Sequence, residues 1–248
     1  MKKYISILIC FFPLALMAQE TEGYVRYLIT HNWTKKMEAV DYISKQQKER
    51  LSYIWGSRSE WKKFANFYFN TTETKYEDSE ESADDDDGGY AWRKEAFSIR
   101  HNYATNTEKD VVTLLEKAYI IEDSIKGPEW KILNDMKEVA GHICMNAVYE
   151  DTIKMQKVTA WFALDMPISG GPERLCGLPG LILEVDVNNG AMTIVADKIE
   201  MKKLGTEMDM PKKIKGKKIN EAQYTELLRK YIAEKRKNEE PPFWGMRY

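Results

Sequence analysis

The sequence predicts a mostly β (α+β) protein, a curved antiparallel sheet with one N-terminal and one C-terminal helix. Three observations carry this. Leu181 to Ile199 reads as a hairpin about Asn189-Gly190, the dipeptide preferred in two-residue type I′ loops. From Phe97 onward the apolar residues recur with period 2, the repeat of a half-buried strand. Only two stretches, 35–50 and 221–238, carry helical spacing.

The elements follow in order. Residues 22–30, Glu-Gly-Tyr-Val-Arg-Tyr-Leu-Ile-Thr, read as a first strand. Thr34 is placed to cap a helix over 35–50 that sets Met37, Val40 and Ile43 on one side. Trp61 to Phe69 is rich in aromatic residues and leads into a strand. Residues 77–89 form an acidic run that cannot bury apolar surface and reads as a solvated loop. Asp84, Asp86 and Glu95 fall at positions 1, 3 and 12 of a calcium loop, but Gly88 stands where position 5 needs an acid. Phe97, Ile99, His101 and Tyr103 share a face, residues 106–110 form a turn, and Val111 to Leu115 returns. Tyr119 to Ile125 and Trp130 to Ile132 are further strand segments, separated by Gly127-Pro128. In the hairpin the turn sets Val187 opposite Met192, Val185 opposite Ile194 and Leu183 opposite Ala196, which makes one face wholly apolar. Residues 211–218 form a basic loop. Asn220 and Gln223 open a capped helix to about Asn238, striped by Leu227, Leu228, Tyr231 and Ile232. Pro241-Pro242 ends it, and Phe243-Trp244 docks back.

The N-terminus reads as a signal peptide over residues 1–18. Lys2 and Lys3 are its basic head, Tyr4 to Leu16 its apolar run, and Ala18-Gln19 its cleavage point. Cys10 lies mid-run after Leu8 and Ile9, away from a lipidation position. Loss of Lys2 and Lys3 takes the net charge from −2 to −4, which argues against a nucleic-acid partner. No later stretch reaches spanning length. The chain thus divides into the leader, a β-rich domain over 19–210 and a C-terminal unit over 211–248. Export leaves Cys144 and Cys176, an even pair in an oxidising compartment, and predicts a disulfide between them. Its loop of roughly thirty residues would contribute about 3 kcal/mol.

Residues 161–182 read Trp-Phe-Ala-Leu-Asp-Met-Pro-Ile-Ser-Gly-Gly-Pro-Glu-Arg-Leu-Cys-Gly-Leu-Pro-Gly-Leu-Ile. Gly177, Leu178, Pro179, Gly180, Leu181 and Ile182 spell the string that names the GLPGLI family of exported Gram-negative proteins. The upstream Trp161, Asp165, Pro167, Gly171 and Pro172 also resemble its pattern, and Trp130, Lys137, Gly141, Cys144 and Ala147 resemble an earlier segment. His142 stands where the family has an aromatic residue, and an arginine is missing near Lys157. The resemblance implies an envelope protein, often encoded beside TonB-dependent outer-membrane receptors. It also implies an open half-barrel similar to lipoprotein carriers. It supplies no catalytic residue.

The motif has a physical reading of its own. Gly177 and Gly180 permit positive φ or close backbone approach, and Pro179 fixes φ. The result is either a rigid β corner or a shaped surface on which Leu178 and Leu181 meet a partner. His142, Cys144 and Cys176 have metal-ligand chemistry, but a disulfide would consume both thiolates. Ser169 with Asp165 and one of His31, His101 or His142 has the residue types of a triad without the Gly-x-Ser-x-Gly elbow. No phosphate loop, HExxH or dinucleotide fingerprint occurs.

These readings lead to an expectation of a periplasmic or outer-membrane-associated accessory protein without catalysis, cofactor or metal. It would assist a TonB-dependent transport or envelope-assembly system through an outer-membrane partner. The alternative is a carrier whose hollow binds a lipid or other apolar ligand, motivated by 12 Met and 7 Trp.

Overall fold

The computed structural model describes residues 22–56, 59–83, 97–210 and 214–248. The expected signal peptide and the calcium-like positions Asp84, Asp86 and Glu95 lie outside them.

Strand β1 (Gly23–Asn32) is followed by helices α1 (Trp33–Glu38) and α2 (Lys45–Trp55). Eight strands come next: β2 (Glu60–Phe69), β3 (Glu73–Asp78), β4 (Ser98–Asn102), β5 (Thr107–Leu114), β6 (Lys117–Asp123), β7 (Lys131–Val139), β8 (His142–Asp151) and β9 (Gln156–Ala163). The hairpin β10 (Leu181–Val187) and β11 (Met192–Met201), the short β12 (Lys217–Ile219) and helix α3 (Glu221–Lys237) complete the order, with a 3₁₀ turn at Pro242–Trp244.

All the strands join one open sheet in the order β12-β6-β5-β4-β3-β2-β1-β11-β10-β9-β8-β7. Neighbours run antiparallel except β12, which pairs parallel with β6. The expected mostly β half-barrel with a C-terminal helix is what folds. Its centre is β1, paired with β2 on one side and β11 on the other. Strict alternation of buried and partly exposed residues along β1 explains this position: Val25, Tyr27 and Ile29 enter the core with no exposure. Bulges at Arg26/Tyr27, Ile132/Met136 and Ile182/Glu184 bend the sheet, since an extra residue on one strand adds local twist.

The predicted β10–β11 register is observed, with Val187 opposite Met192 and Val185 opposite Ile194. The turn is wider than a two-residue loop. Asn188, Asn189 and Gly190 all take positive φ, and Ala191 N–H donates to the Val187 carbonyl at 3.0 Å.

The N-terminal helix is two helices. Asn32, not Thr34, caps α1 by accepting from Lys35 N–H at 2.9 Å. Ser44 and Gln47 form a second capping box that starts α2. Met37, Val40 and Ile43 are nevertheless buried. They anchor α1 and the link, while α2 buries no residue fully.

Helix α3 is capped by Asn220 and Gln223 as expected and buries Tyr224, Leu228, Tyr231 and Ile232. It lies over the hollow. Tyr224 and Leu228 share a small cavity of about 280 Å³ with Phe97, Val112, Val185 and Ile194 of the opposing sheet. The tail does dock back: Trp244 stacks on Trp33 at 5.1 Å and Phe243 is buried.

The segment between β9 and β10 turns inward. Leu181 N–H donates to the Met166 carbonyl at 2.9 Å and Ile182 N–H to that of Gly170 at 3.0 Å. A Cβ at Gly180 would stand 2.1 Å from the Ala163 carbonyl oxygen, and one at Gly171 2.6 Å from Ile182 Cβ. Gly177 is different, with φ +91° and room for a Cβ, which would meet Gly127 Cα at 3.8 Å and the Trp130 ring at 3.9 Å, ordinary contact distances. Gly180→Ala should therefore destabilise by about 3 kcal/mol through overpacking. Gly177→Ala should cost about 1 kcal/mol, the left-handed penalty alone. Urea denaturation of both variants checks the ordering, and equal costs would contradict it.

Candidate functional site

The residues from Leu164 to Gly180 form a plug across the half-barrel. Gly170 sits so close to Phe67 that a Cβ would lie 2.9 Å from its ring, and the Tyr103 hydroxyl donates to the Ser169 carbonyl. The plug leaves a cavity of about 1040 Å³ at one mouth of the barrel. Phe69, Thr74 and Ile199 from the sheet, His142 at the start of β8, and Asp165 to Ser169 from the plug line it.

Two of the sequence-predicted residues meet at this mouth. His142 Nδ1 lies 2.8 Å from Asp165 Oδ2. Ser169 shares the cavity, but its hydroxyl accepts Gly177 N–H at 3.2 Å. The Asp165 carboxylate thus has the His142 ring as its side-chain partner. The Asp165 side chain is 61% exposed, so water screens its charge. This polar rim pair lies beside the partly exposed Ile168 and Ile199, a mix of polar and apolar groups of the kind that ligand pockets carry. His31 and His101 do not line this cavity.

Of the motif residues, Leu178, Leu181 and Ile182 are buried to 2% exposure or less and pack into the core. Pro172 is buried, and Pro167 and Pro179 are exposed at bends. Trp161 is partly exposed under the Lys137 ammonium, 4.3 Å from its ring, and Lys137 reaches Glu184 at 2.5 Å.

The expected sulfur bridge is not made. Cys144 and Cys176 are both buried free thiols. Burial pushes Cys144 up to about 11 and Cys176 up to about 12, so both stay protonated and poor metal ligands. The bend is held by another contact. Trp130 Nε1 donates to the Cys176 carbonyl at 2.8 Å, and Gly127 packs on the same peptide.

The plug carries two adjacent opposite charges into the hollow, Glu173 and Arg174. Glu173 accepts from Arg247 at 2.6 and 2.7 Å and from the Tyr76 hydroxyl at 3.3 Å. Arg247 also holds Asp78 at 2.8 and 3.0 Å, and Lys63 binds Asp78 at 3.0 Å. Burial works against the Arg247 charge, but Glu173 and Asp78 outweigh it and raise its pKa. Burial likewise disfavours the Asp78 carboxylate, yet Arg247 and Lys63 hold it well below the usual range. Asp78 was expected in the solvated acidic loop; it ends β3 inside this network.

Arg174 faces the other way. It binds Asp110 at 2.6 Å, Glu221 at 2.6 Å and Glu108 at 3.1 Å. Burial pushes Glu108 up to about 7 and Asp110 up to about 6, against the pull of Arg174. Burial and Arg174 lower His101 to about 4. Sequence reading missed this cluster because it placed Glu108 and Asp110 in a turn at 106–110. The turn spans 103–106, with Asn106 at φ +52°, and Thr107 already begins β5.

A third polar pair lies near the tail. Lys36 Nζ is 2.7 Å from His31 Nδ1 and sits over the rings of Trp33 at 4.4 Å and Tyr248 at 4.2 Å. His31 stacks between Trp33 and Trp61, and its Nε2 has no hydrogen-bond partner. Burial lowers His31 and Lys36 well below their ordinary values.

Fold and site together define an open antiparallel half-barrel with an internal plug, a helix over the hollow and a lined mouth. The family described as a protein of unknown function (Porph_ging) matches residues 148–184, from within β8 through the plug into β10. Two crystal structures of PNGF-II, in space groups C2 and P21, share the fold with TM-scores of 0.54 and 0.55 at 13% identity. The likeness covers 84% of this chain and 32% and 33% of theirs, so the chain spans about a third of their length. No curated protein matches the chain in sequence. No helix among the described residues is long and apolar enough to cross a membrane.

Replacing Arg247 by Met strips Glu173 and Asp78 of their shared cation. The expected loss is about 3–5 kcal/mol, read as a lower urea midpoint, and Glu173→Gln in the same chain should recover part of it. Unchanged stability in Arg247→Met would show that the network carries no weight.

His31 is neutral when folded, so the unfolded chain takes up the extra proton below its ordinary pKa of 6.5. Its contribution is fully present above that pH and is lost as pH falls, at up to about 1.4 kcal/mol per pH unit. His31→Gln should flatten the stability profile between pH 6.5 and 5. A variant profile as steep as the parent's would exclude this role.

Proposed function

We propose that this chain is an exported envelope protein of the GLPGLI type that works by binding, as an accessory to a TonB-dependent transport or envelope-assembly system. Occupation of the hollow by the chain itself is the observation that carries this reading. The plug and α3 take the space that a carrier would give to its cargo, leaving recognition to the mouth and its rim. That rim has apolar purchase: Met201 lines it at 49% exposure, and Ile143 and Leu164, next in sequence to His142 and Asp165, are 55% and 51% exposed. Exposed apolar residues around a concave, partly polar site favour a macromolecular contact.

One observation favours a second reading. The mouth, at about 1040 Å³, has the size of a small-ligand pocket, and an apolar ligand held there would make the chain a carrier of a different design.

A photo-crosslinking residue at Leu164 in envelope preparations tests the first reading. The expected product joins the chain to an outer-membrane transport or assembly protein, and Ile143→Asp should reduce its yield at least about tenfold, given the cost of burying an unpaired charge. Absence of a specific product, or indifference to Ile143→Asp, overturns it. Native mass spectrometry showing a co-purified lipid that Met201→Asp removes would establish the carrier instead.

A further inference from the structure

His101 on β4 and Glu108 on β5 are direct cross-strand partners. Glu108 and Asp110 are two apart on β5, so their side chains share the face on which His101 lies. The topology thus gathers an imidazole and two carboxylates without any loop. All three are buried, at 3%, 4% and 0% exposure, and one ligand atom from each lies within 4.8 Å of the others.

Two further features indicate that something is to be held there. His101 Nε2 is buried without a hydrogen-bond partner and stands 3.8 Å from Glu108 Oε2, beyond a hydrogen bond but suited to a shared ion between them. The charges also fail to balance. Glu108, Asp110 and Glu221 all converge on Arg174, so three carboxylates meet one guanidinium. A dipositive ion would close that account and give the orphaned nitrogen a partner.

We propose that His101, Glu108 and Asp110 form a binding site for one divalent transition ion of the zinc or manganese class. Arg174 occupies Glu108 Oε1 and Asp110 Oδ2, so the ion would take Glu108 Oε2 and the second lone pair of Asp110 Oδ1, whose other one accepts Arg100 N–H at 3.3 Å. Nitrogen and oxygen ligands lie about 2.1 Å from such an ion, so the widest pair must close by roughly 1 Å. One imidazole with two carboxylates suits zinc or manganese better than copper(I), which prefers sulfur. The ion would brace the cavity floor. The His101 ring meets Tyr103 edge-on at 6.1 Å, and Tyr103 holds the plug through the Ser169 carbonyl.

The test uses the full chain stripped with chelator and titrated with zinc or manganese chloride. The expected result is one ion per chain by calorimetry and a Tm rise of about 5–10 °C at a hundredfold excess over the dissociation constant. His101→Gln and Glu108→Gln should each weaken binding at least about tenfold, with His142→Gln unchanged. No bound ion, equal binding in both site variants, or loss in His142→Gln would each overturn the site. The first outcome would mean that a proton shared by Glu108 and Asp110 balances the cluster. Should the variants not fold, the cobalt(II) spectrum of the unaltered chain decides. Bands without thiolate charge transfer support the site, and a thiolate band, assigning the ion to Cys144 or Cys176, refutes it.

Discussion

The structure depends on one constraint: Glu173 and Arg174 are consecutive, opposite in charge and carried into the interior of a half-barrel. Neither can be left unpaired there, because an isolated buried charge costs several kcal/mol. A dipeptide cannot neutralise itself when its side chains point apart. Each therefore fixes a separate set of partners. Glu173 takes Arg247 and, through it, Asp78 and Lys63. Arg174 takes Asp110, Glu108 and Glu221. The two sets draw on β2, β3, β5, α3 and the penultimate residue of the chain, so elements far apart in sequence have one arrangement that satisfies both. A buried ion network is weak as a source of stability but strong as a specification of geometry. Here it specifies where the tail, the helix and the plug sit.

The glycines and prolines of the plug make that delivery possible. Gly170 and Gly171 let the backbone pass against Phe67 and Ile182 with no room for a side chain, and Gly180 does the same at Ala163. The Trp130 indole then fixes the outgoing strand through the Cys176 carbonyl. An indole N–H to a carbonyl does at this point what a disulfide was expected to do. It needs no oxidant, and it leaves both thiols buried and free.

Much of the sheet could be read directly because its core face follows a period of 2. The β10–β11 register needed the Asn189-Gly190 turn as well, and the strand at 61–69 was marked by its aromatic residues. What local pattern cannot show is charge that folds inward. Asp78 belongs to an acidic run, and only the distant Arg247 makes it a core residue. Glu108 and Asp110 look like turn residues, since acids favour turns. Asn102 moved the turn earlier by accepting Thr105 N–H at 2.9 Å, which Asn106 completes at positive φ. The helix at 35–50 was divided for the same kind of reason, a Ser44 cap that outweighed continuous apolar spacing. In the candidate site, the His142–Asp165 contact joins residues 23 apart, and no periodicity predicts a meeting between the first residue of β8 and the plug.

The filled hollow also bears on how such a fold can be put to use. An open sheet of this curvature offers two places for a partner: the groove it encloses and the rim where strands end. Here the groove is crossed by the ion pairs of Glu173 and Arg174, whose rupture would expose charge on both sides. The rim carries no such penalty. Its histidine–carboxylate pair is partly wet, its apolar residues are already exposed, and its floor is tied through Tyr103 and Ser169 to the same plug. Under the proposed reading, a partner bound at the mouth would press on the element that the charges hold in place, because Tyr103 lines the mouth and holds the plug through the Ser169 carbonyl.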